Sequence, residues 1–426
     1  MRTRILSLAL IGLIACGKEP EPPVEQPDAG EQPPPVCPDR KGIICPWAGT
    51  GAQGFDSDLK PILESQLDQP TDLVFTGDNV AYVVDRGNHL VRKVTPEGTF
   101  VSVMGAARRA GDGAHNEADS FAPGVPGITV AINEPTNAVV MPNGSVVVAC
   151  WRNHKLRTLT PATGKVYISA GSFQCASSPA CSDTTPPRNG DGKSPLDALF
   201  DFPSKLAVNS LGELFIVDQR VQRIRRIDAR GSEIVTMAGS GKTGYLGDDG
   251  QPTKAYFHFD NSQTPKPSGG LAFDDAGNLY VADSLSHRIR KIEFVETTGP
   301  TGEKRLVATR ISLFAGRPEL DDLAPGYEGD GGPAIGARLN NPTDLEMGPD
   351  NKLYFADTGN HVIRAIDLSQ KTIETVVGTG TMGDSGDSGA ASSAELSHPM
   401  GIAFDSKGVL YIADTGNHRI RRVPLP

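Results

Sequence analysis

The sequence repeats an eleven-residue phrase: residues 356–366 read ADTGNHVIRAI, and residues 413–423 read ADTGNHRIRRV. Four related phrases occur earlier in the chain, at 84–94, 149–159, 217–227 and 282–292. Each phrase follows two apolar strands that are separated by a turn containing Gly or Asn. Self-similarity of this kind is typical of repeat architectures, in which neighbouring units share a core.

A fourth strand ending in Gly follows five of the six phrases, so the unit is four short strands. The chain ends before a sixth such strand, but residues 43–54, IICPWAGTGAQG, read like the fourth strand of the other units. We therefore expect the N-terminal strand to complete the last unit and close the array into a ring without free edges. The predicted fold is all-β: a six-bladed β-propeller of four-stranded blades.

The phrase and its four-stranded unit resemble NHL repeats over residues 42–426. The resemblance implies a six-bladed NHL β-propeller. The GDGG segment at 329–332 resembles the long form of the repeat found in many exported bacterial proteins.

The N-terminus carries the pattern of an export signal in residues 1–15. Arg2 and Arg4 precede an apolar run that is too short to span a bilayer, which predicts a signal peptide. The sequence LIAC ending at Cys16 resembles the lipobox of bacterial lipoproteins. That resemblance implies a lipidated Cys16 that anchors the chain to a membrane, and Gly17 after it implies the outer membrane.

Residues 16–41 are rich in Pro, Glu and Gln and predict an extended tether ahead of the propeller at 42–426. The formal net charge is −10, and removal of a leader with two Arg and no acid would make it −12. An acidic exported chain is poorly suited to nucleic acid. We expect an exported bacterial lipoprotein with no nucleic-acid partner.

Exported proteins can keep disulfides, and the cysteines after the lipobox fall into two close pairs and one single residue. We predict disulfides between Cys37 and Cys45 and between Cys175 and Cys181. Cys150 lies in the apolar strand SVVVACW and is predicted to be a small buried hydrophobic residue.

The recurring polar residues of the phrase are predicted to be structural, because a motif present in every blade does not single out one site. An Arg occupies the same place in all six units and is expected to pair with the Asp that ends strand two, within or between blades. The recurring His residues are expected to pack turns, since equivalent positions of different blades are too far apart to share one ion. These five are His89, His154, His287, His361 and His418.

Asymmetric positions are better candidates for a binding site. At the start of the innermost strand, four units carry Asp72, Asn137, Lys205 and Asp344 where another carries Gly401. We expect the four side chains to converge at the channel mouth, on the face of the inter-blade loops. There they would bind a small polar ligand or a cation such as Ca²⁺, or only solvate a wet channel.

The sequence favours a binding or scaffold module for an envelope protein or glycan partner. The alternative is a divalent-metal-dependent hydrolase or lactonase, because Asp72, Asn137 and Asp344 loosely resemble the metal ligands of gluconolactonase-like propellers. The motifs that flank those ligands are missing here. Three insertions are candidate partner contacts: 118–130 and 172–187 on the face of the channel mouth, and 295–307 on the opposite face.

Overall fold

A computed structural model describes residues 37–113, 122–171, 190–298, 302, 304–318 and 324–425. In these residues the backbone forms β-strands and single 3₁₀ turns, with no α-helix. Contacts gather Cys37–Pro426 into one compact unit. The described part of the chain contains no helix of the length and apolarity needed to cross a membrane. The predicted signal peptide, Cys16, most of the tether and the Cys175–Cys181 pair lie outside the described residues.

Six antiparallel sheets form the blades of a propeller, as predicted. After β1 (Cys45–Ala48), blade one contains β2 (Pro70–Phe75), β3 (Ala81–Asp85), β4 (Leu90–Val94) and β5 (Phe100–Gly105). Blade two contains β6 (Val125–Pro126), β7 (Pro135–Val140), β8 (Val146–Cys150), β9 (Lys155–Thr160) and β10 (Lys165–Ala170). Blade three contains β11 (Pro203–Val208), β12 (Leu214–Asp218), β13 (Arg223–Ile227) and β14 (Ile234–Ala238).

The remaining three blades repeat the arrangement. Blade four contains β15 (Leu271–Phe273), β16 (Leu279–Asp283), β17 (Arg288–Thr298) and β18 (Lys304–Ala315). Blade five contains β19 (Pro342–Met347), β20 (Lys352–Asp357), β21 (Val362–Asp367) and β22 (Ile373–Val377). Blade six contains β23 (Gly401–Phe404), β24 (Val409–Asp414) and β25 (Arg419–Pro424), and β1 completes it.

The ring closes through the N-terminal strand, as the sequence predicted. β1 pairs antiparallel with β25, with Cys45 opposite Arg422 and Ala48 opposite Ile420. The innermost strand of blade six, β23, lies beside β2 of blade one, so the ring of inner strands is continuous. A disulfide joins Cys37 to Cys45 and confirms that predicted pair.

Two blades depart from the simple four-stranded unit. Blade two has a fifth strand, because Val125 and Pro126 of the predicted 118–130 insertion pair with β10 at its outer edge. In blade four, β17 and β18 extend as a two-stranded ribbon that reaches the pair Thr298 and Lys304. The ribbon confirms that residues 295–307 lengthen the connection between strands three and four.

Apolar side chains between adjacent blades form the core. Cys150 lies in one of these interfaces, fully buried and outside any disulfide, as expected. Burial raises the pKa of its thiol to about 12, so the thiolate is not available near neutral pH.

The recurring Arg of the phrase joins its own blade to the preceding inter-blade loop. All six Arg side chains are fully buried, and each lies within ion-pair distance of an Asp in the inter-blade loop before its own blade. Those pairs are Arg92–Asp58, Arg157–Asp112, Arg225–Asp191, Arg290–Asp248, Arg364–Asp330 and Arg421–Asp387. In five blades the Arg also contacts the Asp that ends strand two; Cys150 replaces this Asp in blade two. The predicted Asp–Arg pairing is confirmed.

The recurring His of the phrase joins its blade to the next one. Each His has a left-handed backbone, and its Nδ1 accepts a hydrogen bond from the backbone N–H just before the next inner strand. The donors to His89, His154, His287, His361 and His418 are Glu134, Phe202, Asn341, His398 and Gln69. Blade three has Gln222 at this position, and its Oε1 accepts from the N–H of Phe259 at 2.9 Å. The His residues therefore act as structural links between blades.

These links make the propeller sensitive to acid. Burial lowers the pKa of His154 from 6.5 to about 4, so the unfolded chain takes up a proton first as the pH falls. The contribution of His154 to the free energy of unfolding should therefore drop between pH 6.5 and 4, whereas buried carboxyl groups with raised pKa values, such as Asp218, act in the opposite direction. At pH 5, His154 alone should account for roughly 2 kcal/mol.

Urea unfolding at pH 7.5 and pH 5 of the wild type and His154→Gln tests this expectation. The variant copies Gln222 and should lose part of the pH dependence while keeping the hydrogen bond. Equal pH dependence in both proteins would contradict it.

Candidate functional site: the central channel

The structure brings together the four polar residues that the sequence selected. Asp72, Asn137, Lys205 and Asp344 begin the inner strands of blades one, two, three and five, and all are at least 95% buried. Asp72, Asn137 and Asp344 line a cavity of about 300 Å³ in the centre of the ring, and Lys205 bonds to Asp344. We call these four side chains the channel cluster; its role in binding stays a prediction.

The channel cluster is a network of inter-blade hydrogen bonds. Asp72 Oδ2 accepts from Asn137 Nδ2 and from the N–H of Ala138, both at 2.8 Å. Asn137 Oδ1 accepts from the N–H of Leu206 at 2.8 Å. Each of these two side chains therefore joins its blade to the next.

Lys205 takes a different path, across the channel. Its Nζ donates to Asp344 Oδ1 at 2.9 Å and to the carbonyl of Met400 at 3.3 Å. Asp344 Oδ2 accepts from the N–H of Ile402 at 2.9 Å. Both oxygens of Asp344 are thus engaged.

The other two ring positions are glycines because there is no space for a side chain. A Cβ on Gly270 would lie 2.9 Å from the Cα of Asp344, and one on Gly401 would lie 2.9 Å from the Cα of Asp72. Inner strands approach each other too closely at these points. The channel cluster is therefore limited to four side chains.

A second layer of hydroxyl groups lies beside the channel cluster, towards the inter-blade loops. Thr136 Oγ1 donates to the carbonyl of Ser204 at 2.8 Å, and Ser204 Oγ donates to that of Ser268 at 2.7 Å. Thr71 and Thr343 occupy the same place in blades one and five, and these hydroxyl residues are almost completely buried. The channel is therefore filled on the face where we expected its mouth.

The cavity opens on the other face. Every inner strand is buried at its N-terminal end and partly exposed at its C-terminal end. The six C-terminal residues, which line the cavity, are Phe75, Val140, Val208, Phe273, Met347 and Phe404. Because strand three of a blade runs parallel to strand one, the blade-four ribbon projects on this open face. The buried hydroxyl layer occupies the end where we expected the mouth, so from strand burial we infer a mouth on the opposite face.

Charge in the channel cluster is nearly balanced. Burial raises the pKa of Asp72 to about 8, although Lys205 opposes the shift. Burial also raises the pKa of Asp344, and the hydrogen-bonded Lys205 again opposes it. Asp72 therefore favours its protonated form near neutral pH, and Lys205 directs its hydrogen bond to Asp344.

A divalent ion does not fit these residues. The oxygens of Asp344 and Oδ2 of Asp72 are already bonded to N–H groups, and the Lys205 ammonium lies where an ion would have to approach. Across the described ranges, no group of three or more His, Cys, Asp or Glu side chains could hold a metal ion. The residues thus lack the set that Ca²⁺ needs, which is six to eight oxygens.

Sequence reasoning missed one charged residue of the channel. Glu346 lines the cavity two residues after Asp344, where the other inner strands carry only small or apolar residues. Those equivalents are Val74, Val139, Ala207, Ala272 and Ala403. A comparison of this second ring position across the six units would have revealed it.

Comparisons with known proteins agree with the fold. A model of the teneurin NHL domain matches residues 258–367, and a model of the NHL repeat matches residues 396–423. The chain is similar to Protein SUPPRESSOR OF QUENCHING 1, chloroplastic, of Arabidopsis thaliana, with 27% identity over 54% of this chain and 25% of that protein. It is also similar to NHL repeat-containing protein 2 of Gallus gallus, with 32% identity over 38% of this chain and 21% of that protein.

The chain thus spans a quarter or less of the length of these two curated relatives. Among solved structures, an auxiliary nutrient binding protein from Bacteroides thetaiotaomicron superposes with a TM-score of 0.57 at 16% identity, covering 89% of this chain and 75% of that one. This likeness concerns the fold. The repeat matches and the six-bladed ring together support an NHL-repeat propeller.

Proposed function

We propose that this propeller is a binding module that takes a small ligand in its central channel from the open face. The observation that carries the proposal is the cavity itself: it is about 300 Å³, is lined mostly by apolar residues but exposes more polar than apolar surface, and opens between the C-terminal ends of the inner strands. Ligand pockets typically begin near this volume and combine apolar walls with a few polar groups. A solved structure that shares this fold at 16% identity is named an auxiliary nutrient binding protein.

The channel geometry favours binding over metal-dependent hydrolysis. A hydrolase of the predicted kind would need Asp72, Asn137 and Asp344 to face one ion, whereas they bond to neighbouring blades and to Lys205. We therefore rank the lactonase hypothesis second.

A ligand screen and a metal assay together test the proposal. We expect purified residues 37–426 to contain no stoichiometric divalent ion and to melt at the same temperature with and without a chelator. Ligand-observed NMR of a small-molecule library should yield binders that are lost in Val139→Trp, because Val139 lines the cavity and a larger side chain there would narrow it. Bound metal that a chelator removes, or binders indifferent to Val139→Trp, would contradict the proposal.

We further propose that the module works at the bacterial envelope, where a lipid on Cys16 would hold it on the outer membrane near a protein or glycan partner. The lipobox-like LIAC sequence supports this part. Labelling with a radioactive fatty acid tests it, because the label should be absent from Cys16→Ser. Equal labelling of that variant would contradict lipidation at Cys16.

A further inference from the structure

We propose that the ligand of the channel is an organic ammonium ion on an apolar stem, with Glu346 as its counter-ion. This inference rests on the proposed function and adds the chemical class of the ligand. It is argued from three features of the cavity: one carboxylate without a partner, its apolar walls, and the charge around its opening.

Glu346 is the only charged wall residue that the channel network does not use. Glu346 is one of the residues that line the cavity, it is partly buried, and its carboxylate accepts no hydrogen bond from any residue that the structure describes. Lys205, the nearest cation, is already held by Asp344 and the Met400 carbonyl. A partly buried carboxylate without a partner is still unfavourable, so a cation beside it would be stabilised.

The charges around Glu346 also favour a cationic ligand. Burial raises its pKa to about 8, and Asp344 and Asp72 raise it further while Lys205 lowers it. An anion would be repelled by these carboxyl groups once they ionise, and a neutral ligand would leave Glu346 unpaired. A ligand ammonium would reverse the shift by stabilising the ionised form.

The remaining walls suit a hydrocarbon body. Beside Glu346 the cavity is lined by the backbone and apolar side chains of the inner strands, and Phe75, Phe273 and Phe404 lie at its opening. Aromatic rings pack well against apolar groups and tolerate a nearby cation. If the ligand enters with its ammonium group ahead, this group would reach Glu346 while the apolar stem of the ligand contacts the rings at the opening.

Charge around the opening also favours cations. The turns that follow the inner strands place exposed Asp78, Asp275 and Asp350 on the open face, and Lys407 is an exposed basic residue in the same set of turns. Acidic groups around a cleft raise the local concentration of cations. The chain as a whole is acidic, with a formal net charge of −10.

Three probes of similar shape test the inference: phenethylamine, 2-phenylethanol and 3-phenylpropanoate, which are cationic, neutral and anionic. Their affinities for the full chain are measured by calorimetry at pH 8.5, where the pKa of Glu346 leaves most of that carboxyl ionised. We expect the amine to bind most tightly and to lose roughly tenfold to a hundredfold in affinity in Glu346→Gln. Glu346→Val, which copies Val74 of blade one, should behave in the same way.

The control is Glu64→Gln, which removes the same charge from an exposed loop and should leave amine binding unchanged. If the neutral or anionic probe binds as well as the amine, or Glu346→Gln binds the amine normally, the cation inference is wrong. In that case, if Val139→Trp still abolishes binding of the probe, the proposal that the channel binds a small ligand is retained. If no probe and no library compound binds through the channel, both proposals fail.

Discussion

Replacing Arg364 with Ala is expected to lower the free energy of unfolding by about 3–5 kcal/mol, because it leaves the fully buried Asp357 carboxylate without its cation and the partly exposed Asp330 without its partner. Arg364 is fully buried and bonds Asp330 at 2.6 Å and Asp357 at 3.3 Å. It also donates to the carbonyls of Arg338 and Glu328. One substitution therefore removes the charge balance and the link between a blade and its inter-blade loop. Urea unfolding measures the loss.

Arg310 provides a matched control for this experiment. It also lies 2.6 Å from an Asp, but Arg310 and Asp249 are both mostly exposed. Exposed ion pairs contribute about 0–1 kcal/mol, so Arg310→Ala should have little effect. Equal destabilisation by the two substitutions would show that burial of Arg364 does not determine its contribution.

The polar residues of the repeated phrase stabilise the ring. Functional residues are therefore better sought at positions where the six units differ. Its Asp and Arg side chains bond each other, and its His side chains accept from the next blade. A ligand at these positions would have to displace bonds that hold the ring together. Glu346 differs because the equivalent residues of the other blades carry no charge, and because its carboxylate has no hydrogen-bond partner among the described residues.

The fold was predictable because each strand carries its own signal in the sequence. Six phrases in register fixed the blade number, and residues 43–54 revealed the closing strand. The fifth strand of blade two was not predictable, since β6 is only Val125–Pro126 and its segment carries no strand pattern. Pairing with the edge of β10, not local propensity, creates it.

The site was predictable only in part. Comparing equivalent positions selected Asp72, Asn137, Lys205 and Asp344, and the ring does bring them together. Three of their hydrogen bonds come from backbone N–H groups of adjacent blades, which no sequence pattern shows. The hydrogen bonds of the hydroxyl layer at one end of the channel also go to backbone groups of adjacent blades. Residue types alone therefore do not show which face of the channel is open.

Deleting residues 38–50 should destabilise the whole propeller, on the order of 5 kcal/mol or more, because it opens the ring. The deletion removes β1, the fully buried Ile44 and Ala48, and the partner of β25. Ile44 packs with blades five and six, and Ala48 packs with blades six and one. Thermal melting should show a lower and broader transition, since blade six then has an unpaired edge.

Loss of the disulfide must be separated from loss of the strand. The double variant Cys37→Ser, Cys45→Ser keeps β1 but lacks the covalent link, which closes a short loop with a sequence separation of 8. A disulfide of this kind contributes about 2–3 kcal/mol, less than we expect for the full deletion. If the deletion melts like the double variant, pairing of β1 with β25 adds nothing, and the closed ring is not what makes the propeller cooperative.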